Sequence, residues 1–418
     1  MRIGIAGAGI AGLAAAWLLD GVHDVVVLEA RSTLGGNLRT VHLPDAADGA
    51  ETVELGVQGV PLRLSHLVAA FASALGFRRE EWTGLPDSRA IQWESPSILR
   101  GGDAADAKRS QKEAARDALA VLAAEAADWI RQDIDWDVSL EAQVNSWKPS
   151  DFVRNGMVHA LAASLFGCTM REAGQLSARA VGAFYAEPDE DGAAGLFRLR
   201  GGMQSLAWRL ASDTSTTSLL PGRALRRLHR TEDGWEMIDR SDERWPVDAV
   251  VLALPAYAAR AALPLSDAPE LNAALGAFTY RDLSYGIHRD AFYMPPDRRH
   301  WAPSHVTVHG PWAETTSWTR RPGGQDVFVS QLTHRDELPR TLLATSAFRT
   351  LQPTTDLVAA QNELNSYQGA KNIYFAGHLT VPVNELESTL ASAVAVCRRL
   401  TPSLPRLTSL TSHDKELP

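Results

Sequence analysis

The chain has 418 residues, 45% hydrophobic and 22% charged, with a formal net charge of −9 at pH 7. At roughly 150 residues per domain this makes two or three folding units, each able to bury its own core, and the composition excludes a disordered or fibrous chain. The acidic balance and the lack of a basic tract exclude a nucleic-acid binder, and two cysteines, Cys168 and Cys397, exclude a disulfide scaffold or Cys-rich metal site.

Both cysteines read as reduced core residues, and no metal is expected. No run reaches the ~20 apolar residues needed to cross a bilayer, and the opening run 3–19 is broken by glycines without a cleavage site. A cytoplasmic protein with a small-molecule substrate and no stable membrane insertion is expected; its oligomeric state is not legible.

Arg2–Ala6 is a short apolar strand, Gly7, Gly9 and Gly12 follow as GAGIAG, and 13–19 is helix-forming. A second strand, 24–28, ends at Glu29, seventeen residues after Gly12, the acidic position for a ribose 2′-hydroxyl. The three glycines serve different ends, since Gly7 makes the turn, Gly9 lets a pyrophosphate approach the backbone, and Gly12 lets helix and strand pack closely. The helix N-terminus offers free N–H groups and partial positive charge to the phosphates. Strand, glycine turn, helix and acid together predict dinucleotide binding.

Glu29-Ala30-Arg31 is followed by Leu34-Gly35-Gly36-Asn37-Leu38-Arg39-Thr40. Here the chain resembles the flavin-containing amine oxidase and phytoene desaturase superfamily, whose signature reads E-x-x-x-x-x-G-G-R-x-x-T/S. Glu29, Gly35, Gly36 and Thr40 match. Asn37 stands where many members have an Arg against the pyrophosphate, and Arg39 is a candidate to replace it. The resemblance implies FAD, held at this end of the chain by Gly7, Gly9, Ile10, Ala11, Gly12, Glu29, Ala30, Arg31, Gly35, Gly36, Asn37, Arg39, Gly56 and Val57.

Residues 63–190 are rich in Ala, Leu and Arg at helical spacing, with 114–130 the clearest amphipathic helix, 103–112 polar, and 187–192 a surface loop by composition. Gly201-Gly202-Met203 resembles the superfamily's G-G-M motif. Residues 219–228, 234–237 and 249–254 read as three strands with a hairpin between the first two, and the resemblance implies that the backbone near Ala224 touches adenine. Residues 280–335 favour a sheet. Their aromatics, four from Tyr293 to Trp318, read either as a pocket over the flavin or as ordinary sheet packing. Arg298, Arg299 and His300 read as an exposed turn.

Asn372 to Gly377 is a strand ending in Phe375-Ala376-Gly377, and an apolar helix spans about 386–400. This resembles the superfamily's closing motif: Glu387, Ser392 and Ala393 fit, while Ser388 and Thr389 replace the usual Gly and Ala. Gly377, His378, Glu387, Ser388 and Thr389 are therefore further FAD candidates, His378 standing where relatives carry an acid and reading equally as a loop histidine. Asn384 and Glu387 also have capping-box spacing. Glu385 stands where monoamine oxidases have an aromatic cage residue. It is the catalytic candidate, as a partner for a cationic substrate or as a base, and it also reads as helix-dipole decoration.

The fold expected is α/β: a split Rossmann-type FAD-binding domain (1–62, 195–262 and 345–402) with an inserted α+β substrate domain (63–194 and 263–344), an amine oxidase-like two-domain architecture, and a C-terminal tail, 403–418. Secondary motifs bring the pattern nearest a branch of amine-oxidase-like, NAD/FAD-binding proteins. The chemistry expected is an FAD-dependent oxidoreductase, oxidase or dehydrogenase, taking a hydride from a C–N bond of an amine or amino-acid-derived molecule to flavin N5. The alternatives are a desaturase of a lipid or other C–C bond and a non-redox flavin isomerase. Amine oxidases often hold a water near N5 with a Lys, yet only five of the 41 basic residues here are Lys, with none between Lys148 and Lys371. Oxygen is thus in doubt as the electron acceptor.

Overall fold

The computed structural model describes residues 1–43, 51–86, 89–93, 104–186, 195–266, 268–319, 325–383 and 385–412. A parallel sheet runs in the order Ile373–Phe375, Ala249–Leu252, Arg2–Ala6, Asp24–Glu29, Ser218–Pro221, so three distant parts of the chain meet in it. Its central strands are apolar without alternation, as burial on both faces requires; Ile3, Ile5, Val250 and Val251 are fully buried.

The helix Ile10–Leu19 is buried along its whole length and shares a core with the closing helix Leu386–Leu400. Cys397 lies at their contact, its Sγ 3.8 Å from the Ala15 carbonyl oxygen. Both cysteines are free and buried, and burial pushes the Cys168 thiol up to about 12. The chain beyond 402, expected as a tail, forms the helix Pro405–Ser412. Leu404, Leu407 and Leu410 bury into the same core, and Arg406 Nη1 donates to the Trp17 carbonyl at 2.7 Å.

Asp20 closes the first helix. Its carboxylate accepts from the backbone N–H and hydroxyl groups of Ser215, Thr216 and Thr217 at 2.8–3.1 Å. Burial alone would raise its pKa, but these hydrogen bonds outweigh it and hold the carboxylate well below its usual range. Its stabilisation is therefore present above the unfolded pKa and is lost as pH falls through the depressed folded value. Asp20→Asn is expected to destabilise by about 3 kcal/mol at neutral pH in urea unfolding, with the gap from wild type narrowing in acid.

The expected strand 219–228 is two strands. Gly222, at φ +78°, breaks it after Pro221, and Leu225–Arg230 leaves the parallel sheet for an antiparallel one with Trp235–Asp239 and Arg244–Val247. Pro-Gly is a turn signal set here between apolar residues, Leu219 and Leu220 before it and Ala224 and Leu225 after it.

Residues 280–335 do form a sheet, of six strands once Leu342–Leu351 and Arg89–Trp93 join it. Leu342–Leu351 pairs along its length with Tyr280–His288, so residues 345–351, expected with the cofactor domain, run in this sheet. Arg89–Trp93, from a stretch read as helical, adds in parallel to Ser304–His309. The predicted helix 114–130 lies within Ala104–Arg131. Residues 187–192 lie outside the described residues, and no helix among the described residues is long and apolar enough to cross a membrane.

Candidate active site

A cavity of about 1580 Å³ runs from the glycine turns to the helix Ala104–Arg131. A drug-sized ligand occupies ~300–1,000 Å³, so this cavity has room for a dinucleotide and a second molecule.

At one end two glycine turns face each other. Gly7 takes φ +97° and donates its N–H to the Leu28 carbonyl at 2.8 Å. Gly9 is the N-cap of Ile10–Leu19 without a side-chain cap. Since Leu13 N closes the first turn on the Gly9 carbonyl at 3.0 Å, the N–H groups of Ile10, Ala11 and Gly12 precede any intrahelical bond. A Cβ on Gly9 would meet only the Gly36 Cα, 3.9 Å away, whereas one on Gly12 would lie 1.9 Å from the Gly7 carbonyl oxygen. Gly9 leaves space for a ligand and Gly12 leaves space for the fold; accordingly Gly9 lines the cavity and Gly12 does not. This open cradle at a helix N-terminus is the arrangement that admits a diphosphate.

Glu29 lines the cavity beside Ala30 and Arg31, its carboxylate oriented by the Ala8 N–H (2.7 Å) and the Arg31 N–H (2.9 Å). The Gly36 carbonyl accepts from Arg31 Nη1 at 3.0 Å and Arg39 Nε at 3.3 Å, which clamps the second turn. Arg39 does not line the cavity. Its Nη1 donates to Ser346 Oγ and the Ala347 carbonyl, and its guanidinium lies over the Phe348 ring at 4.2 Å, while Nη2 is shut from solvent with no partner among the described residues. Gly35, Gly36, Asn37, Gly56 and Val57 line the cavity, as does Ala224, whose carbonyl accepts from Arg240 N at 2.9 Å.

Glu54, passed over in the sequence, ties the motifs together. Its buried carboxylate accepts from Met203 N at 2.8 Å and from the Thr40 hydroxyl, and Gln204 bridges Thr40 to the Leu34 carbonyl. Burial, offset in part by the Met203 and Thr40 hydrogen bonds, pushes Glu54 up to about 7. The spacing to its partners, up to 149 residues, left no local signal.

The strand Ile373–Phe375 leads to Gly377, whose N–H donates to Ser392 Oγ at 2.7 Å. Gly377, His378, Glu385, Glu387 and Thr389 line the cavity. Glu387 corrects the capping-box expectation, and Asn384 lies outside the described residues. The N-cap of the closing helix is Glu385, whose N–H donates to Ser388 Oγ at 3.2 Å. The Glu387 carboxylate reaches another helix, His66–Ala74, accepting from Leu67 N at 2.8 Å and Val68 N at 2.9 Å. Ser388 does not line the cavity; its hydroxyl also donates to the Val383 carbonyl. Glu387→Ala leaves two helix N–H groups without acceptors and is expected to cost about 2 kcal/mol in urea unfolding. An unchanged midpoint would show that this cap contributes nothing to stability.

The far wall presents a row of small apolar side chains, with Asp128 and Arg131 of the helix Ala104–Arg131 at its end. Ala120, Ala123, Ala124 and Ala127 of Ala104–Arg131 line it with Leu165 and Phe184. Burial and then the neighbouring Glu387 raise the pKa of Glu385. The aromatics between Tyr293 and Trp318 do not line the cavity. Trp301 packs edge-on against Trp318 and Phe328, Arg298 pairs with Asp326 and Arg299 with Asp297; sheet packing is their role.

A split parallel sheet, an anion-ready helix N-terminus and a cavity reaching an inserted sheet define a dinucleotide-dependent enzyme. The family model for flavin containing amine oxidoreductases matches residues 10–286, and the chain belongs to this family: it is an FAD-dependent oxidoreductase of the amine oxidase superfamily. No curated protein matches it. Among solved structures it is similar to wild-type putrescine oxidase bound to putrescine (15% identity, 96% of this chain and 100% of that one, TM-score 0.65). It is also similar to cyclohexylamine oxidase from Brevibacterium oxydans IH-35A (15%, 96% and 99%, 0.64) and to the CLA-producing fatty acid isomerase from P. acnes (14%, 96% and 98%, 0.66). At these identities the likeness is one of fold.

Proposed function

We propose that the chain oxidises the C–N bond of an amine or amino-acid-derived small molecule. The observation that carries this reading is Glu385, a mostly buried carboxylate lining the cavity at the start of the closing helix. In a low-dielectric site a carboxylate at this place pairs with an ammonium group, holds the adjacent carbon in register and accepts the nitrogen's proton. The alanine wall leaves room for an apolar substrate body.

FAD, when bound, supplies the hydride acceptor at N5. Gly7, Gly9, Ile10 and Ala11 would receive its diphosphate, Glu29 a ribose, the backbone at Ala224 the adenine, and the backbone from Glu387 to Thr389 the flavin edge. Arg31, Gly35, Gly36 and Asn37 would line its path, with Gly56 and Val57 beside the ring. Gly12, Arg39 and the Ser388 hydroxyl act behind this surface. Among the described residues no Lys lines the cavity, which favours an acceptor other than oxygen.

The test is anaerobic incubation of the yellow protein with a panel of amines. Loss of the ~450 nm band, a property of the flavin, with imine or aldehyde product is expected, and slow recovery in air. Bleaching only by substrates that become alkenes would favour the desaturase reading. Isomerised product without bleaching would favour the non-redox one.

A further inference from the structure

We propose that Tyr280 is a positioning residue that fixes His378 as its Nδ1–H tautomer, so that a neutral ring donor faces an oxygen acceptor in the diphosphate–ribityl part of FAD. The inference rests on the cavity holding FAD.

The Tyr280 hydroxyl lies 2.8 Å from His378 Nε2 and accepts the Ala256 N–H at 2.9 Å. Ala256 opens the helix Ala256–Ala262, so its N–H has no intrahelical acceptor and occupies the phenol oxygen. Tyr280 is itself half-buried, with its rings edge-on to Tyr257 and His378. Its own proton needs an acceptor, and His378 Nε2 is the one within reach among the described residues. Nε2 then carries no proton. Burial also pushes His378 down to about 4, which keeps the ring neutral and puts the single proton on Nδ1.

No described residue is hydrogen-bonded to Nδ1, and His378 lines the cavity. The backbone fixes where the ring stands: Gln361 Nε2 holds the His378 carbonyl at 3.1 Å, Gly377 N donates to Ser392 Oγ, and a Cβ on Gly377 would meet Ala11 Cβ at 3.6 Å. His378 thus stands beside the first turn of Ile10–Leu19, where the free N–H groups collect. A free imidazole favours the other tautomer, so the phenol is the cause of the orientation and not its witness.

Two measurements test this. In the wild-type protein, long-range ¹H–¹⁵N correlation should show His378 as Nδ1–H. Apoprotein titrated with FAD, followed by fluorescence quenching, should bind roughly tenfold more weakly in Tyr280→Phe, the loss of about one hydrogen bond. Asn places its amide nitrogen near the Nδ1 position and needs no tautomer lock, so the double variant Y280F/H378N should bind FAD within about threefold of wild type, whereas Y280F/H378Q should stay weak. An Nε2–H ring in a protein that binds FAD, or a Y280F/H378N variant as weak as Y280F, overturns the proposal. Failure of all variants and wild type alike to bind FAD overturns the cofactor reading beneath it, and the spectrum tells the two failures apart.

Discussion

Gly9→Val protein is expected to fold as wild type does and to purify without FAD, its affinity reduced roughly a thousandfold or more, about 4 kcal/mol. Gly9 has φ −70° and ψ 179°, a conformation valine adopts without strain, and a Cβ there meets nothing nearer than the Gly36 Cα at 3.9 Å. The added methyl groups enter the volume that a diphosphate would occupy, in front of the N–H groups of Ile10 and Ala11. Gly12→Val is the contrasting variant. Its Cβ would sit 1.9 Å from the Gly7 carbonyl oxygen, forcing helix and turn apart at a cost of at least about 3 kcal/mol. Urea unfolding and absorbance together separate the two: Gly9→Val colourless with a wild-type midpoint, Gly12→Val with a lowered midpoint. A yellow Gly9→Val protein would move the diphosphate elsewhere.

Glu385→Gln is expected to lower kcat/KM for an amine substrate about a hundredfold with the bound-flavin spectrum unchanged. Gln keeps the volume and the N-cap backbone, and on the reading proposed above it loses the charge that would pair with ammonium and the site that would take its proton. The pH profile gives the sharper reading. Burial and Glu387 raise the Glu385 pKa, so the active carboxylate is lost on the acid side at a pH above the ordinary Glu range near 4.3. Wild-type kcat/KM should therefore fall with acid earlier than an exposed carboxylate would dictate, and the variant should lack that limb. Equal turnover in the two proteins would leave Glu385 as the N-cap of the closing helix and nothing more.

The elements whose making is local were legible in the residues. GAGIAG after Arg2–Ala6 produces a turn and a helix whatever lies elsewhere, because a missing Cβ permits the φ of Gly7 and the approach of Gly12 to Gly7. Phe375-Ala376-Gly377 and the closing helix were legible for the same reason. The strand Arg89–Trp93 was not: its ladder partner, Ser304–His309, lies more than two hundred residues on, and its propensity was masked by a helical neighbourhood.

Side-chain destinations followed the same division. Glu387 has the spacing of a local cap, yet two N–H groups that lack intrahelical acceptors, 319 and 320 residues away, take its carboxylate. Arg39 sits among glycine-turn residues but is drawn to the Phe348 face and the Ser346–Ala347 edge of the inserted sheet.

By itself the sequence determined the dinucleotide turn, the acid beside it, the closing helix and the class of cofactor, since each rests on residues within a few turns of one another. Tertiary structure alone decided that Glu54 knots three motifs, that Glu387 caps a distant helix and that Tyr280 meets His378. These contacts exist only after the parallel sheet has gathered its distant strands, and a buried charge or hydroxyl must find its partner among whatever that gathering brings near.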